Sequence, residues 1–83
     1  EYDKSKKITI ETIVHHGCQA ENKLVKEIAF PKECLLISIR RGGRDIIPKG
    51  NTRILGEDYL VFLINLNEEP KVREILNRIT TLQ

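Results

Sequence analysis

The 83-residue chain has room for one small domain, and its 40% hydrophobic and 31% charged residues argue against intrinsic disorder. A net charge of +2 is too small to indicate nucleic-acid binding by itself. No apolar run approaches the roughly 18 residues that are needed to cross a bilayer.

The polar start of the chain, EYDKSKK, carries no initiator methionine and no signal peptide. We therefore expect an excised piece of a longer protein, in which residues 1–6 are a linker or N-terminal extension and residues 7–83 form the domain. The two cysteines, Cys18 and Cys34, are too few for a disulfide framework and favour a reducing, cytosolic setting. A bridge between them is the less favoured alternative.

The first third of the chain predicts a strand followed by a short helix. Ile8, Ile10, Thr12 and Val14 share one face of residues 7–14, with Thr9 and Glu11 on the other, which is the period of a strand. From Ala20 the spacing lengthens to four residues, through Leu24 and Ile28. This spacing predicts one face of a short helix that ends before Pro31.

The middle of the chain predicts a hairpin. Leu35, Ile37 and Ile39 alternate with the residues between them, which indicates a half-buried strand with these three side chains on one face. Gly42–Gly43 then supplies the positive φ angles of a tight turn. The chain returns as a second strand, which Pro48 ends.

The last third predicts two more strands and the longest helix. Residues 52–55 suit a short strand, whereas residues 59–64 are apolar on both faces, which indicates a central strand. Asn67 offers a helix cap, and Pro70 is tolerated in the first turn. The apolar stripe of this helix consists of Val72, Ile75, Leu76, Ile79 and Leu82.

The order β-α-β-β-β-β-α predicts an α+β fold. We expect a small two-layer sandwich, in which two helices shield one face of a mixed β-sheet of four to five strands. A domain of this size buries only a marginal core, so part of its apolar surface is expected to form a dimer interface.

The glycine-rich stretch ISIRRGGRDIIPKGNT has two interpretations. A phosphate cradle of the P-loop type needs a glycine-rich loop that leads into a helix, and these glycines lie between two predicted strands. The local prediction is therefore a hairpin, with Arg40, Arg41 and Arg44 as solvated turn charges. Their clustering keeps an anion-binding site as the alternative.

His15, His16 and Cys18, with Cys34 as a fourth ligand, are the candidates for a metal site. Zinc sites usually contain two close ligand pairs, and adjacent histidines at the end of a strand point to opposite faces. We therefore predict no metal site. We also predict no catalytic residues, because the carboxylates form no evident facing pair and Cys–His hydrolysis needs a third orienting group and a cleft.

The segment FPKECLLISIRRGGRDIIPKGNTRI, residues 30–54, resembles the TrkA C-terminal domain family, also described as the C-lobe of RCK regulatory modules. The shared pattern is a helix ending in a proline, a hydrophobic strand ending in I-x-R, a glycine turn and I-I-P-x-G-x-T. The resemblance extends from about Ile8 to Ile79. Two positions depart from the family pattern: Glu57 replaces the glycine of a Gly-Asp pair, and Asn22 replaces the glycine of a Gly-Lys pair.

The resemblance implies a non-catalytic regulatory domain on the cytosolic side of a membrane ion transport protein, covalently linked to a membrane domain and paired as a homodimer. The chain is most similar to the versions fused to CLC-type chloride channels or proton/chloride antiporters. The alternative is the C-lobe of a potassium-uptake regulator or of another cation transporter. Some family members bind a small ligand, cyclic di-AMP among them, across the dimer interface, and a ligand-free dimerisation module is the further alternative.

If a ligand binds, we expect the hairpin and the residues after it to supply the contacts. Arginines would donate charge-assisted hydrogen bonds to phosphate, and the apolar residues would contact the rest of the ligand. The predicted set is Arg40, Arg41, Arg44, Ile46, Ile47 and Pro48. No other cofactor and no nucleic-acid partner is expected, because the aromatic residues are few and mostly in core-like positions.

Overall fold

The computed structural model describes residues 6–82 and confirms the α+β class. Its regular elements are the strands β1 (Lys7–Ile13), β2 (Cys34–Arg41), β3 (Arg44–Ile46) and β4 (Tyr59–Asn65) and the helix α1 (Glu69–Thr80). A 3₁₀ turn, Val25–Glu27, precedes β2, and a second one, Leu66–Glu68, leads into α1. All but the last residue of the predicted linker, residues 1–6, lies outside the described residues.

The four strands form one sheet in the order β1-β4-β2-β3, and every neighbouring pair is antiparallel. Strand β4 is therefore central, as its apolar sequence predicted. The prediction of a mixed sheet is wrong. Strands β1 and β2 run in the same direction, but β4 lies between them and is antiparallel to both.

Helix α1 covers one face of the sheet and closes the core. The ring of Phe62 contacts that of Phe30 edge to face, with centroids 5.3 Å apart. The core side chains of β4 and α1 that are almost inaccessible to solvent are Leu60, Phe62, Ile64, Val72, Leu76 and Ile79. The face that packs against α1 is called the inner face below, and the opposite one the outer face.

The predicted boundaries of the last helix need small corrections. Glu68 is the N-cap residue of α1, so Asn67 lies in the preceding 3₁₀ turn and does not cap the helix. Pro70 lies in the first turn, as expected. Leu82 lies beyond the end of α1 and is 69% exposed. No helix among residues 6–82 is long and apolar enough to span a membrane.

Residues 20–28 do not form the predicted helix. Asn22 has a left-handed backbone with a φ angle of +67°, which interrupts an α-helix, and only Val25–Glu27 makes a 3₁₀ turn. The backbone groups of this segment bond to a distant part of the chain. The Asn22 N–H donates to the Ile54 carbonyl over 2.7 Å, and the Ile54 N–H donates to the Lys23 carbonyl over 2.8 Å. These tertiary hydrogen bonds replace the helical bonds that the four-residue spacing predicted.

The same contact replaces the strand predicted at residues 52–55. Only one antiparallel bridge forms there, between Leu24 and Arg53. Its partner segment turns at Asn22 and again in the 3₁₀ turn, so the bridge does not extend into a ladder. Within the described part of the chain, one α-helix forms instead of the two that were predicted. Two loops that hydrogen-bond to each other take the place of the other helix and of the extra strand.

A β-bulge in β2 changes which side chains face the core. The consecutive β4 residues Val61 and Phe62 pair with β2 residues that lie two positions apart, which makes Ile37 the extra residue. Leu35 and Ile37 lie on the outer face, 61% and 41% exposed, whereas Ile39 is fully buried. The prediction that Leu35, Ile37 and Ile39 share one face is wrong, because it assumed an uninterrupted strand.

Candidate ligand-binding site

The Gly-Gly stretch forms a tight hairpin between β2 and β3. Gly42 and Gly43 have φ angles of +58° and +79°, and they connect Arg41 to its cross-strand partner Arg44. This is a two-residue turn with both central residues in the left-handed region. The turn leads into a strand and not into a helix, so the hairpin is confirmed and the phosphate cradle is not formed.

Arg40 lies on the outer face, because it follows the buried Ile39 in β2. Its Nη1 lies 3.3 Å from Glu11 Oε2, and its Nε lies 3.6 Å from Asp45 Oδ1. All three side chains are substantially exposed, so these ion pairs are weak and break easily. Arg40 is therefore accessible, but only from the outer face.

Arg41 points to the inner face and is held by Asp58. The Nε and Nη2 groups of Arg41 donate to the two carboxylate oxygens of Asp58 over 2.9 and 2.8 Å, and Nη2 also donates to the Arg53 carbonyl. Asp58 is 1% exposed and accepts a further hydrogen bond from the Leu55 N–H. The hydrogen bonds to Asp58 raise the pKa of Arg41 above its already high usual value. Arg41 thus uses its hydrogen-bond donors within the fold, and it is the least available of the three arginines for binding a ligand.

Asp58 was missed as the partner of Arg41, although the sequence contains a signal for it. Asp58 directly precedes the most apolar strand, where a side chain becomes buried, and a buried carboxylate requires a cation or several hydrogen-bond donors. The sequence does not show which arginine provides that charge, because Arg41 and Asp58 are 17 positions apart.

The side chain of Arg44 is exposed and makes no ion pair or side-chain hydrogen bond within residues 6–82. Ile46, on the same face of β3, packs against the core. Ile47 is 79% exposed, and Pro48 is half-buried. The structure therefore leaves Arg44 without a charged partner among residues 6–82 and leaves Ile47 exposed, and Arg40 lies on the other face of the sheet from Arg44.

The hairpin surface is open in a single chain. A cavity of about 530 Å³ lies between β1 and α1, with Ile10, Thr12 and Leu76 among its lining residues, and none of the predicted ligand residues lines it. Small-molecule sites usually bury most of the ligand surface. A ligand at the hairpin would need a second surface to enclose it.

The histidines and cysteines do not assemble into a metal site. In residues 6–82 no three His, Cys, Asp or Glu side chains are arranged to hold a metal ion. Cys18 is buried, and Cys34 is a second free thiol, which donates to the Pro31 carbonyl over 3.3 Å. Burial raises the pKa of Cys34 to about 11, with a smaller contribution from the charge of Glu33, so its thiolate is disfavoured.

Comparison with known families identifies the domain. The family model described as the TrkA-C domain matches residues 10–77, which include both strands of the hairpin, the Arg41–Asp58 pair and most of α1. The chain belongs to the TrkA-C domain family. This confirms the resemblance noted in the sequence, whereas a fusion to a CLC-type protein is not shown. TrkA-C domains form a regulatory family and not an enzyme family.

Two relatives extend the comparison. The Trk system potassium uptake protein TrkA homolog of Archaeoglobus fulgidus is 32% identical over 63 residues, which are 76% of this chain and 14% of that protein. The chain thus spans a small part of that relative. A solved structure described as "Structure of RCK domain with cda" has a TM-score of 0.66 at 21% identity, and the match covers 86% of this TrkA-C domain and 96% of that chain. At this identity the likeness shows the fold alone.

The two departures from the TrkA-C pattern both keep the backbone conformation of glycine. Asn22 has a φ angle of +67°, and Glu57 has a φ angle of +74°. Asn adopts this conformation at small cost, but for Glu the left-handed region costs roughly 1–2 kcal/mol. In this TrkA-C domain the Glu57 side chain contacts His16, with 3.4 Å between Oε2 and Nε2. The exposed ion pair offsets only part of the strain.

We expect the NMR titration midpoint of His16 to lie above its usual value of about 6.5. Its Nδ1 lies 2.9 Å from Glu21 Oε2, and this hydrogen bond, followed by the charges of Glu21 and Glu57, raises the pKa of His16. A raised pKa in the folded state stabilises the domain at pH values below about 6.5, and this contribution is lost as the pH rises through the raised pKa. Glu21→Gln should lower the midpoint more than Glu57→Gln. A midpoint that is unchanged in Glu21→Gln would contradict the assignment.

Proposed function

We propose that this TrkA-C domain is the regulatory lobe of a membrane ion transport protein, that it acts on the cytosolic side as a homodimer, and that it responds to a small anionic ligand. The single observation that carries the proposal is the family match over residues 10–77. The ligand is supported by the exposed Arg44, which has no ion-pair partner among residues 6–82, and by the exposed Ile47. The solved RCK domain of the same fold is described as a complex "with cda", which supports a small-ligand role here.

We infer that the parent protein belongs to a potassium-uptake system. The relative from Archaeoglobus fulgidus carries that function in its name and is 32% identical to this chain. The fusion to a CLC-type chloride channel or antiporter has no support from these relatives and stays a prediction from the sequence. The full-length gene product distinguishes the two: a dinucleotide-binding half with a glycine-rich fingerprint favours potassium uptake, whereas about ten hydrophobic spans favour a CLC-type protein.

The mechanism we propose is a shift between dimer geometries. A ligand changes an equilibrium only by the difference between its affinities for the two states, and such coupling is typically about 1–3 kcal/mol, or roughly 5- to 150-fold. A ligand held by one geometry of the paired lobes would stabilise that geometry. The linked membrane domain would then follow the position of the lobes.

Within the predicted ligand set, Arg44 is the residue that we expect to contribute most. Its guanidinium has no competing partner in the described part of the chain, so it is free to donate to a phosphate oxygen. Ile47 and Pro48 would contact the apolar face of a base. Arg41 is held by Asp58, and Arg40 faces the other side of the sheet, so both are expected to contribute less.

Isothermal titration calorimetry with cyclic di-AMP tests the ligand. We expect Arg44→Ala to weaken binding by about tenfold or more, because a charge-assisted hydrogen bond is lost. Arg78→Ala is the matched control, because Arg78 is also an exposed arginine, and it pairs with Glu74 on α1, away from the hairpin. Absence of heat with the wild-type chain would favour the ligand-free dimerisation module. Equal binding by Arg44→Ala would move the site away from the hairpin.

A further inference from the structure

Strand β1 is a long edge strand without the usual protection. It lies at one end of the sheet, has seven residues and pairs with β4 without a bulge. The opposite edge strand, β3, has only three residues and ends just before Ile47 and Pro48. Short strands, bulges and prolines are common means of preventing an edge from pairing with another chain, and β1 has none of these three. Its edge is therefore open to a further strand.

The hydrogen-bond pattern shows which backbone groups lie on this edge. Val14 continues the register of β1, and its N–H donates to the Asp58 carbonyl over 2.8 Å. In an antiparallel pair such bonds recur at every second residue, so the even-numbered residues of β1 bond to β4. The N–H and C=O groups of Thr9 and Glu11 therefore point away from the sheet, and no other group among residues 6–82 bonds to them.

Helix α1 closes one end of this edge and leaves the rest open. The next odd-numbered residue beyond the strand is His15, and its N–H donates to the Thr80 carbonyl at the end of α1 over 2.8 Å. The side chains of Thr12 and Thr80 also meet, with 3.1 Å between their Oγ1 atoms. Further towards the start of β1, the cavity of about 530 Å³ separates the two elements. The free edge of β1 is thus one wall of a groove whose other wall is α1.

We propose that this groove, called the β1–α1 groove below, binds an extended peptide segment of a partner protein, which adds a strand to the sheet beside β1. A peptide backbone offers alternating donors and acceptors at the spacing of those of Thr9 and Glu11. Addition of a strand to an exposed edge is a recurring mode of peptide recognition, in which pockets for alternate side chains give specificity. The inference goes beyond the proposed function and depends neither on its ligand nor on its homodimer.

The register of the added strand determines which peptide side chain enters the cavity. Cross-strand partners lie on the same face of a sheet, so the peptide residue opposite Ile10 would point to the inner face. The cavity lies on that face, and Ile10, Pro70 and Leu76 supply apolar surface in its lining. We therefore expect an apolar side chain at this position of the peptide.

A basic side chain fits at the neighbouring position. The peptide residue opposite Glu11 would lie on the outer face. Glu11 is 46% exposed, and its ion pair with Arg40 is 3.3 Å long, whereas Arg40 also pairs with Asp45. A lysine or arginine of the peptide can therefore approach Glu11 while Arg40 keeps a carboxylate partner. In an antiparallel added strand, the expected pattern is a basic residue followed directly by an apolar one.

A second copy of this chain fits the β1–α1 groove poorly. Antiparallel pairing of two β1 strands would place both α1 helices on the same side of the joined sheet, each beside the shared edge. Packed helix axes need a separation of about 8–10 Å, whereas neighbouring strands are only about 4.8 Å apart. A peptide segment that carries no helix of its own avoids this clash, so it is the occupant that the groove favours.

Amide hydrogen exchange measured by NMR tests the edge itself. In the free 83-residue chain, the amides of Thr9 and Glu11 should exchange at least about tenfold faster than those of Ile10 and Thr12, which bond to β4. Equal protection of all four amides would show that the edge is already covered and would overturn the groove. Protection of Thr9 and Glu11 that grows with protein concentration would assign the edge to a second copy and would overturn the proposal as well.

Selection of a phage-displayed library of random peptides on the wild-type chain tests the partner, and fluorescence polarisation then measures the binding of the enriched peptides. We expect these peptides to share a basic residue followed by an apolar one, and their binding to slow the exchange of the Thr9 and Glu11 amides. Asn77→Trp, which fills the mouth of the groove, should weaken binding by about tenfold or more. Arg78→Trp is the matched control, because Arg78 is a neighbouring exposed residue that does not line the cavity, and it should bind like the wild type.

Circular dichroism of each variant checks that the fold is retained. A library that yields no binding peptide would overturn the proposal. Peptides that bind Asn77→Trp as tightly as the wild type, or that leave the exchange of Thr9 and Glu11 unchanged, would also overturn it. The proposed function is tested separately by calorimetry with cyclic di-AMP, so its failure is distinguishable from failure of the groove.

Discussion

Replacing Arg41 with alanine is expected to lower the free energy of unfolding by about 3 kcal/mol, because the buried Asp58 loses its cation. Asp58 is 1% exposed, and two of its hydrogen bonds come from Arg41. The Leu55 N–H remains as a donor and water enters the space left by the arginine, which keeps the loss at the lower end of the range for broken buried pairs. Urea unfolding followed by circular dichroism measures the change. In a domain of this size it corresponds to a melting temperature lower by about 12–24 °C.

The matched control is Arg78→Ala. Arg78 and Glu74 form an exposed i,i+4 pair on α1 with 3.3 Å between their charged atoms, so its loss should cost less than about 1 kcal/mol. A second comparison separates charge from packing. Adding Asp58→Asn to Arg41→Ala should recover part of the stability, because a buried amide costs less than a buried unpaired carboxylate. A loss below about 1 kcal/mol for Arg41→Ala would show that Asp58 does not depend on Arg41.

This expectation also separates the roles of the neighbouring arginines. Arg41 and Arg44 face each other across the hairpin, yet only Arg41 is held by a buried partner. Substitution of Arg41 should act on stability, whereas substitution of Arg44 should act on ligand binding and leave stability nearly unchanged. In the sequence the two residues are equivalent turn charges, because the distinction depends on a contact with the distant Asp58.

The elements that local signals determine were predicted correctly. The two-residue period gave β1, the Gly42–Gly43 pair gave the hairpin, the doubly apolar segment gave the central β4, and the proline-led stripe gave α1. The helix expected at residues 20–28 does not form, because distant contacts and not local signals determine the structure of this segment. Its backbone groups bond to residues 52–54, about thirty positions away, and no local pattern encodes that pairing.

The candidate site was predicted in part. The resemblance to the TrkA-C family placed the hairpin within a shared motif, and the family match confirms that resemblance. The face to which each side chain points was not predictable, because the bulge in β2 reverses the alternation halfway along the strand. That reversal directs Leu35 and Ile37 to the outer face and Arg41 to the inner face. The ligand contacts themselves stay a prediction.

Deleting Ile37 is expected to leave the domain folded, with a free energy of unfolding within about 2 kcal/mol of the wild type. A deletion inside a strand normally turns half of its side chains to the wrong face. Here Ile37 is the extra residue of the bulge, so its removal restores one-to-one pairing with β4 and leaves Leu36 and Ile39 on the inner face. Urea unfolding and the dispersion of the amide NMR spectrum measure the outcome at a concentration where the chain is monomeric.

Deleting Ile39, two positions further along the same strand, is the matched control and should cost about 4 kcal/mol or more. Ile39 is fully buried, and if the bulge absorbs this deletion the inner position receives Ser38 in its place. The core then loses a large aliphatic side chain and gains a hydroxyl without a partner, which is enough to unfold a domain of marginal stability. If the two deletions damage the fold equally, the bulge is not where the pairing register places it. If deletion of Ile37 alone is tolerated, the reversal of faces in β2 is established in solution, and with it the exposed apolar outer face of the sheet.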